Sequence, residues 1–291
     1  MEVFDFFEKV NIPENTALCL GNFDGVHLGH RRLFDAAKKH GKWGVLVFDG
    51  GFKSEKLLTG LSEKLEIIET LGADYVITAK PTQDFLGISG ESFYCKLRDE
   101  IGASMLVVGY DYRFGKGAFH SCKDLALWCK SDGIKTHIEE EYVIDSLPVK
   151  SSRIRELVAK GDMPLANKLL GYNYSVSGIV EKGFGNGRKM GFPTANVSYP
   201  EEKLLPPDGV YKGKIYVRNI EKTAVINVGK NPTFDAKKRT VEVHIPDFFE
   251  DIYGNFVKVE FLEKIRGEIQ FKTVDELIER IKQDVEYVLE N

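Results

Sequence analysis

The chain has 291 residues, 43% of them hydrophobic and 29% charged, with a formal net charge of −4. That length allows one large domain or two ordinary ones, and that balance builds a packed core rather than a disordered chain. The acidic balance gives no electrostatic footprint for nucleic acid or an anionic membrane, so neither is expected as a partner.

The start, MEVFDFFEKV, carries acidic residues and no long apolar stretch, unlike a signal peptide. No apolar run approaches the roughly 20 residues of a membrane span. Four cysteines (Cys19, Cys95, Cys122, Cys129) form no CxxC pair. They read as reduced thiols of a cytoplasmic protein, with Cys19 in an apolar strand as core.

The first half alternates strand-like and helix-like segments. ALCL is a short apolar run, followed by LGHRRLFDAAKKH with helical spacing. Then come WGVLVF, a helical SEKLEIIETLG, DYVIT, a helical ESFYCKLRDEIG, SMLVVG, a helical KDLALWCKSDG, and KTHIEE. Apolar runs bounded by glycine and separated by amphipathic segments predict a doubly wound parallel sheet, whose ligands bind at the carboxyl ends of the strands. RIRELVAKGDMPLANKLLG, residues 153–171, is helical and fits either half.

The second half changes period. NYSVSGIVEKG, GVYKGKIYVR, KTAVINVG, RTVEVHIP and NFVKVEFLEKI alternate in part and are separated by turn residues, as in an antiparallel barrel or sandwich. The closing TVDELIERIKQDVEYVLE predicts a helix, with Thr273 and Glu276 as a capping box.

Within GNFDGVHLGHRRL, His27 and His30 stand three residues apart where a strand hands over to a helix. A helix start offers unpaired N–H groups and partial positive charge, and Gly21, Gly25 and Gly29 allow close backbone approach. Residues i and i+3 share a helix face, so both imidazoles can face one anion and donate to it. Spacing alone leaves a phosphate site and a structural helix residue equally open, and His-x-x-His also suits two metal ligands, though no further Cys/His cluster completes a metal site. SLPVKSSRIREL adds a second anion-friendly helix start, with Ser151 and Ser152 ahead of Arg153 and Arg155; by itself it reads as an ordinary serine cap followed by solvated arginines.

EKGFGNGRKMGFPTANVS crowds Gly183, Gly185, Gly187 and Gly191 together. It lacks the GK[ST] ending of a Walker loop and lies among strands, so a P-loop reading fails and a hairpin turn remains. The following Thr194 and Asn196 set a hydroxyl and an amide oxygen on one side of an extended chain, both suited to Mg2+ or to local backbone bonds. In RTVEVHI, Glu242 and His244 share one strand face, which by default is solvent-facing.

Taken together, GNFDGVHLGHRRL, VVGYDYRFGKGA, VKSSRIR and the glycine loop leading into PTAN resemble the prokaryotic bifunctional riboflavin kinase/FAD synthetase family. PPDGVY, INVGKNPTF, VEVHIPDF, DIYG and FLEKIRGE are further echoes, and the likeness runs over nearly the whole chain. Three departures stand out. Lys150 occupies a usual serine position and Ser152 a usual threonine position. VFDGGFKSEK has GGF where the family has a Pro-His-Pro-like stretch.

The resemblance implies an α/β plus β fold: a doubly wound parallel-sheet nucleotidylyltransferase domain over residues 1–158, then a small antiparallel β-barrel with a terminal helix over 159–291. It implies that the barrel phosphorylates riboflavin to FMN with ATP. The first domain would then adenylylate FMN to FAD and release pyrophosphate, with Mg2+ at both steps. His27, His30 and Arg155 would act on the phosphates; Gly21, Phe23, Asp24, Gly29, Ser151, Ser152 and Asp111 would bind ATP or phosphate, as would Gly183, Gly185 and Gly187 in the barrel. Thr194 and Asn196 would hold the metal and Glu242 would be the base, opening into the barrel mouth. Asp111 reads equally as a turn aspartate and Arg113 as a surface arginine. His244 fits the base role as well as Glu242 on sequence alone. Arg266 is placed in a flavin- or phosphate-facing loop or at a charged strand end.

Two other readings remain. One is an adenylyltransferase for a different phosphate acceptor, with a regulatory flavin-binding barrel. The other is a non-enzymatic nucleotide or flavin sensor.

Overall fold

The computed structural model describes residues 1–10, 12–51, 56–183, 185–230 and 239–290. The chain divides into two compact units, Met1–Ser151 and Ser152–Asn291.

The first unit is built on β1 (Glu2–Asp5), β2 (Ala17–Leu20), β3 (Trp43–Phe48), β4 (Tyr75–Ala79), β5 (Met105–Gly109) and, further along, a strand at Lys135–Glu139. Every pairing in this six-stranded sheet is parallel. The chain runs from β2 outward through β3 to β4, then returns to lay β5 on the other side of β2. Strand order therefore reverses between β2 and β5, and the carboxyl ends of those two strands open the crevice where such sheets take ligands.

Alternation along the strands feeds two cores. Ala17, Cys19, Val45, Val47, Val76 and Val107 pack on one face with Phe34 of α1 (Leu28–Lys38) and Ile68 of α2 (Leu61–Thr70). Leu18, Leu20, Leu46, Ile77, Leu106 and Val108 pack on the other. That second layer is completed by α3 (Gln83–Leu86), α4 (Gly90–Cys95), a π-helical continuation at Lys96–Ile101, and α5 (Cys122–Ser131). Small antiparallel ribbons, β6 (Arg113–Phe114) with β7 (His120–Ser121), and β9 (Val143–Ile144) with β10 (Leu147–Pro148), flank β8 (Lys135–Glu139). All four cysteines are free thiols, and Cys19 is fully buried.

The helical stretch at 153–171 is two helices, not one. α6 (Ser151–Lys160) ends before Gly161, at φ 79°, and Asp162 then caps α7 (Met163–Leu170) by accepting from the Leu165 amide at 3.2 Å.

In the second unit β11 (Ser175–Glu181), β12 (Thr194–Val197), β13 (Gly209–Val217), β14 (Ile220–Lys230), β15 (Arg239–His244) and β16 (Phe256–Arg266) close into a barrel of order β11-β12-β15-β14-β13-β16. Tyr211, Ile215 and Val217 of β13, Ile226 and Val228 of β14, and Val241 and Val243 of β15 alternate into its buried interior. A short α8 (Asn186–Lys189) lies in the loop before β12.

The closing helix, α9 (Val274–Glu290), packs Val285 and Val288 against Val210, Val225 and Ile265. Thr273 accepts from the Glu276 amide at 3.2 Å, while the Glu276 carboxylate turns back to the Lys272 amide at 2.9 Å, one residue short of a strict capping box. Arg266 is committed here: its guanidinium donates in a fork to Asp284 of α9 at 2.7–3.1 Å, and Asp284 is only 2% exposed. That ion pair, rather than a phosphate- or flavin-facing loop, is what Arg266 serves. Removing one member of such a buried pair strands the other, at a cost of about 3–5 kcal/mol. Asp284→Ala should lower the stability of the barrel unit by about that amount, read as a shifted urea midpoint, with the first unit's transition unmoved.

Candidate active sites

The turn between β2 and α1 carries strained backbone, with Phe23, Gly25 and Val26 all at positive φ. It is held by three ties. The buried Asp24 carboxylate accepts from the Leu58 and Thr59 amides at 2.9 and 3.1 Å; the Gly25 amide donates to the Thr59 hydroxyl at 2.9 Å; and the Ser151 hydroxyl donates to the Asp24 carbonyl at 2.8 Å. Asp24 and Phe23 are each 1% exposed, Phe23 lying in the core beside Phe34. Their side chains turn inward and shape the turn. Gly21 is needed for packing, since a Cβ there would sit 2.9 Å from the Phe23 ring.

His27 caps α1 with its own ring: Nδ1 accepts from the His30 amide at 3.2 Å. A neutral imidazole accepting at Nδ1 carries its proton on Nε2, so a donor is left for another partner. The His27 and His30 rings stack with centroids 3.5 Å apart. Burial pushes the His27 pKa down to about 3, and pushes that of His30 well down too, helped by the charges of His27 and Lys64. His30 Nδ1 and Asn22 Oδ1 are buried without a hydrogen-bond partner. Two unpaired polar atoms in one turn are what a ligand site leaves. Gly29 leaves only 3.2 Å between a built Cβ and both the His27 ring and the Val149 carbonyl.

Asp111 lies exposed just beyond the end of β5, at the strand-order reversal, and Arg113, at the start of β6, is exposed as well. Lys150 is held outside the turn by Glu141 at 2.7 Å, which also accepts from Tyr110 at 2.6 Å. Ser151 ends the first unit; Ser152 and Arg155 continue along α6 in the second. Phe52, within the GGF departure, lies outside the described residues.

A residue not singled out from sequence is Lys64. It is 2% exposed, and its ammonium donates to the carbonyls of Asn22 and Phe48, both at 3.0 Å. The signal was present: Lys64 falls on the apolar stripe formed by Leu61, Leu65 and Ile68, where a solvated lysine does not belong.

In the barrel, Thr194 pairs with His244 across the ladder, and Asn196 with Glu242 on one side and Glu181 on the other. Asn227 flanks Glu242 from β14. Because Val241 and Val243 fill the interior, Glu242 stands on the outer wall of the barrel and not in its mouth, which corrects that expectation. The glycine loop covers this wall. A Cβ on Gly183 would overlap the Asn196 amide, and one on Gly187 would overlap the Phe192 carbonyl and sit 3.3 Å from the Thr194 hydroxyl. Gly185 takes φ 69°. Close approach and backbone handedness, rather than looseness, explain these glycines.

Burial raises the Glu242 carboxyl above its ordinary range. His244 Nδ1 lies 2.8 Å from the Pro193 carbonyl, which can only accept, so a neutral His244 ring carries its proton on Nδ1. A cleft beside Thr194 is lined by Val180, Arg188, Val243, Ile245 and Tyr253. The NPTF segment, at 231–234, lies outside the described residues.

Comparison with known proteins covers both units. A family model described as FAD synthetase matches residues 9–153, and one described as riboflavin kinase matches 170–291. A bifunctional riboflavin kinase/FMN adenylyltransferase from Listeria monocytogenes is 34% identical, over 93% of this chain and 90% of its own length. The chain belongs to the bifunctional riboflavin kinase/FMN adenylyltransferase family. Members from Bacillus subtilis and Haemophilus influenzae are each 33% identical, over 92% and 94% of this chain and 90% and 94% of their own lengths. A crystal structure from Streptococcus pneumoniae, described as a macrolide-efflux protein, matches this family member with a TM-score of 0.89 and 28% identity over 99% of each chain. Efflux is said of that protein; here, among the described residues, no helix is long and apolar enough to cross a membrane.

The His27 environment makes a pH prediction. Its folded pKa lies below the 6.5 of a free imidazole, so the unfolded chain binds the proton first. The contribution of His27 to stability is full above about pH 6.5 and is lost as pH falls toward 3. Nitrogen chemical shifts of His27 should report a neutral ring protonated on Nε2 at pH 5, where a free histidine is already charged.

Proposed function

We propose that this chain makes FAD from riboflavin in two ATP-dependent steps at two separate sites, with residues 159–291 phosphorylating riboflavin to FMN and residues 1–158 adenylylating FMN. The observation that carries the division is a contrast in ionisable groups. The β2–α1 turn offers two neutral imidazoles, whereas the barrel wall offers one carboxylate with a raised affinity for protons.

That contrast matches the chemistry. The phosphate of FMN is already a nucleophile, so adenylyl transfer needs in-line positioning and stabilisation of phosphate charge. His27 supplies an Nε2–H donor and His30 an unpaired ring nitrogen, at the crevice between β2 and β5. Gly21 and Gly29 keep the backbone close, and Ser151 braces the turn. Ser152, Arg155 and Asp111 are assigned to the ATP phosphates and the substrate by motif; Phe23 and Asp24 act through the turn they shape.

Riboflavin's primary alcohol, unlike a phosphate, must lose a proton. Glu242 takes it, and burial raises its affinity for that proton. Gly183, Gly185 and Gly187 close over the ATP phosphates. Thr194 and Asn196 fit Mg2+: both are hard oxygen donors side by side under the glycine loop. Among the described residues no three His, Cys, Asp or Glu side chains gather to cage a metal. Thr194 and Asn196 would hold the ion, which would supply charge neutralisation on the phosphates.

Purified protein given riboflavin, ATP and Mg2+ should yield FMN and then FAD by chromatography. Glu242→Gln should cut FMN formation by about 10²–10⁴-fold and spare FAD formation from supplied FMN. His30→Ala should do the reverse. Loss of both reactions from either folded variant overturns the two-site reading. For the wild type, FMN formation should fall on acidification at a higher pH than an ordinary glutamate would give, because burial raises the Glu242 pKa.

A further inference from the structure

Lys64 has no part in the scheme above, yet its buried ammonium reaches into the histidine turn. It projects from α2 and donates to the Asn22 carbonyl, inside the turn, and to the Phe48 carbonyl, at the end of β3. Asn22 also carries one of the two buried unpaired atoms of the turn, and His30 the other. A group that orients the Asn22 peptide therefore orients the turn whose open valences face a ligand. We infer that Lys64 is a positioning residue for adenylyl transfer, pinning the β2–α1 turn to the end of β3 so that the histidine pair meets the phosphates in register.

The arrangement explains why a costly buried cation stands where leucine would pack. Leucine would remove the donor that ties the Asn22 carbonyl of the turn to the end of β3, on the carboxyl side of the sheet. The ionisable groups facing the ammonium are Asp24 of the turn, Asp49 after β3, and His30 of α1. The two aspartates favour its charge, and burial works against it, leaving the pKa at about 8. The histidines titrate far below that. Above pH 8 the ammonium becomes an amine and its grip on two carbonyls weakens.

This inference rests on the reading of the first unit as the adenylylating one, and the full-length chain separates the two. FAD formation from FMN and FMN formation from riboflavin are followed between pH 6.5 and 9.5 in wild type, Lys64→Met and Lys64→Arg. Lys64→Met should lose about 10–100-fold in kcat/KM for FAD formation, the scale of a turn displaced by about 1 Å, with riboflavin phosphorylation within about twofold of wild type. Wild-type FAD formation should decline above about pH 8. Lys64→Arg, charged throughout that range, should lack the decline. A domain that is merely less stable would not change the shape of the pH profile in this way.

Wild-type FAD formation by Lys64→Met overturns the inference. So does a Lys64→Arg profile that still falls with the wild-type midpoint. Should Lys64→Met not fold, the wild-type and Lys64→Arg profiles decide alone, and a flat wild-type profile to pH 9.5 refutes the role. A wild-type protein that forms no FAD at any pH refutes the reading of the first unit instead.

Discussion

A polar group shut away from water must be paired, or it marks where something else is meant to bind. That constraint organises both halves of this chain. In the first unit Asp24 and Lys64 are buried and hydrogen-bonded to backbone, and those bonds shape the turn after β2. His27 spends one ring nitrogen on the helix start. What is left over is His30 Nδ1 and Asn22 Oδ1. In the barrel Arg266 and Asp284 satisfy each other, and Glu242 is half-buried with its pKa raised. The engaged groups build each scaffold, and the unengaged ones define its chemistry.

The two sites solve different electrostatic problems. Stacked imidazoles beside an ammonium cannot both take protons, so the turn proposed for adenylyl transfer keeps neutral rings. On the barrel wall Glu242, flanked by Asn196 and Asn227, is a carboxylate whose hold on a proton burial strengthens, which is what the proposed kinase step needs. Glycine serves both by being small. At Gly183 and Gly187 any side chain would collide with the residues assigned to the metal or with their neighbours.

Much of this was legible in the sequence because periodicity is a direct consequence of burial. Strands β2 to β5 read as apolar runs since both their faces are covered, and β13 and β15 alternate since one face fills a barrel. β1 was missed: four residues at a sheet edge, half of them exposed, leave almost no pattern. Which way Asp24 points was illegible as well, because its partners are the amides of Leu58 and Thr59, far along the chain. Arg266 looked available for a ligand only because Asp284 comes a helix later. Lys64 shows the opposite failure. Its place on an apolar stripe was in plain view, but a charged residue in a helix is ordinarily solvated, and only packing reveals that this one is not.

The barrel closes on itself, so it presents no terminal strand with open hydrogen-bonding groups. The parallel sheet does end, at β1 and β8. Both margins are short, β1 running Glu2–Asp5 and β8 Lys135–Glu139, each with a charge at either end. Short, charged margins of this kind discourage a neighbouring chain from adding a strand, and both lie in the first unit.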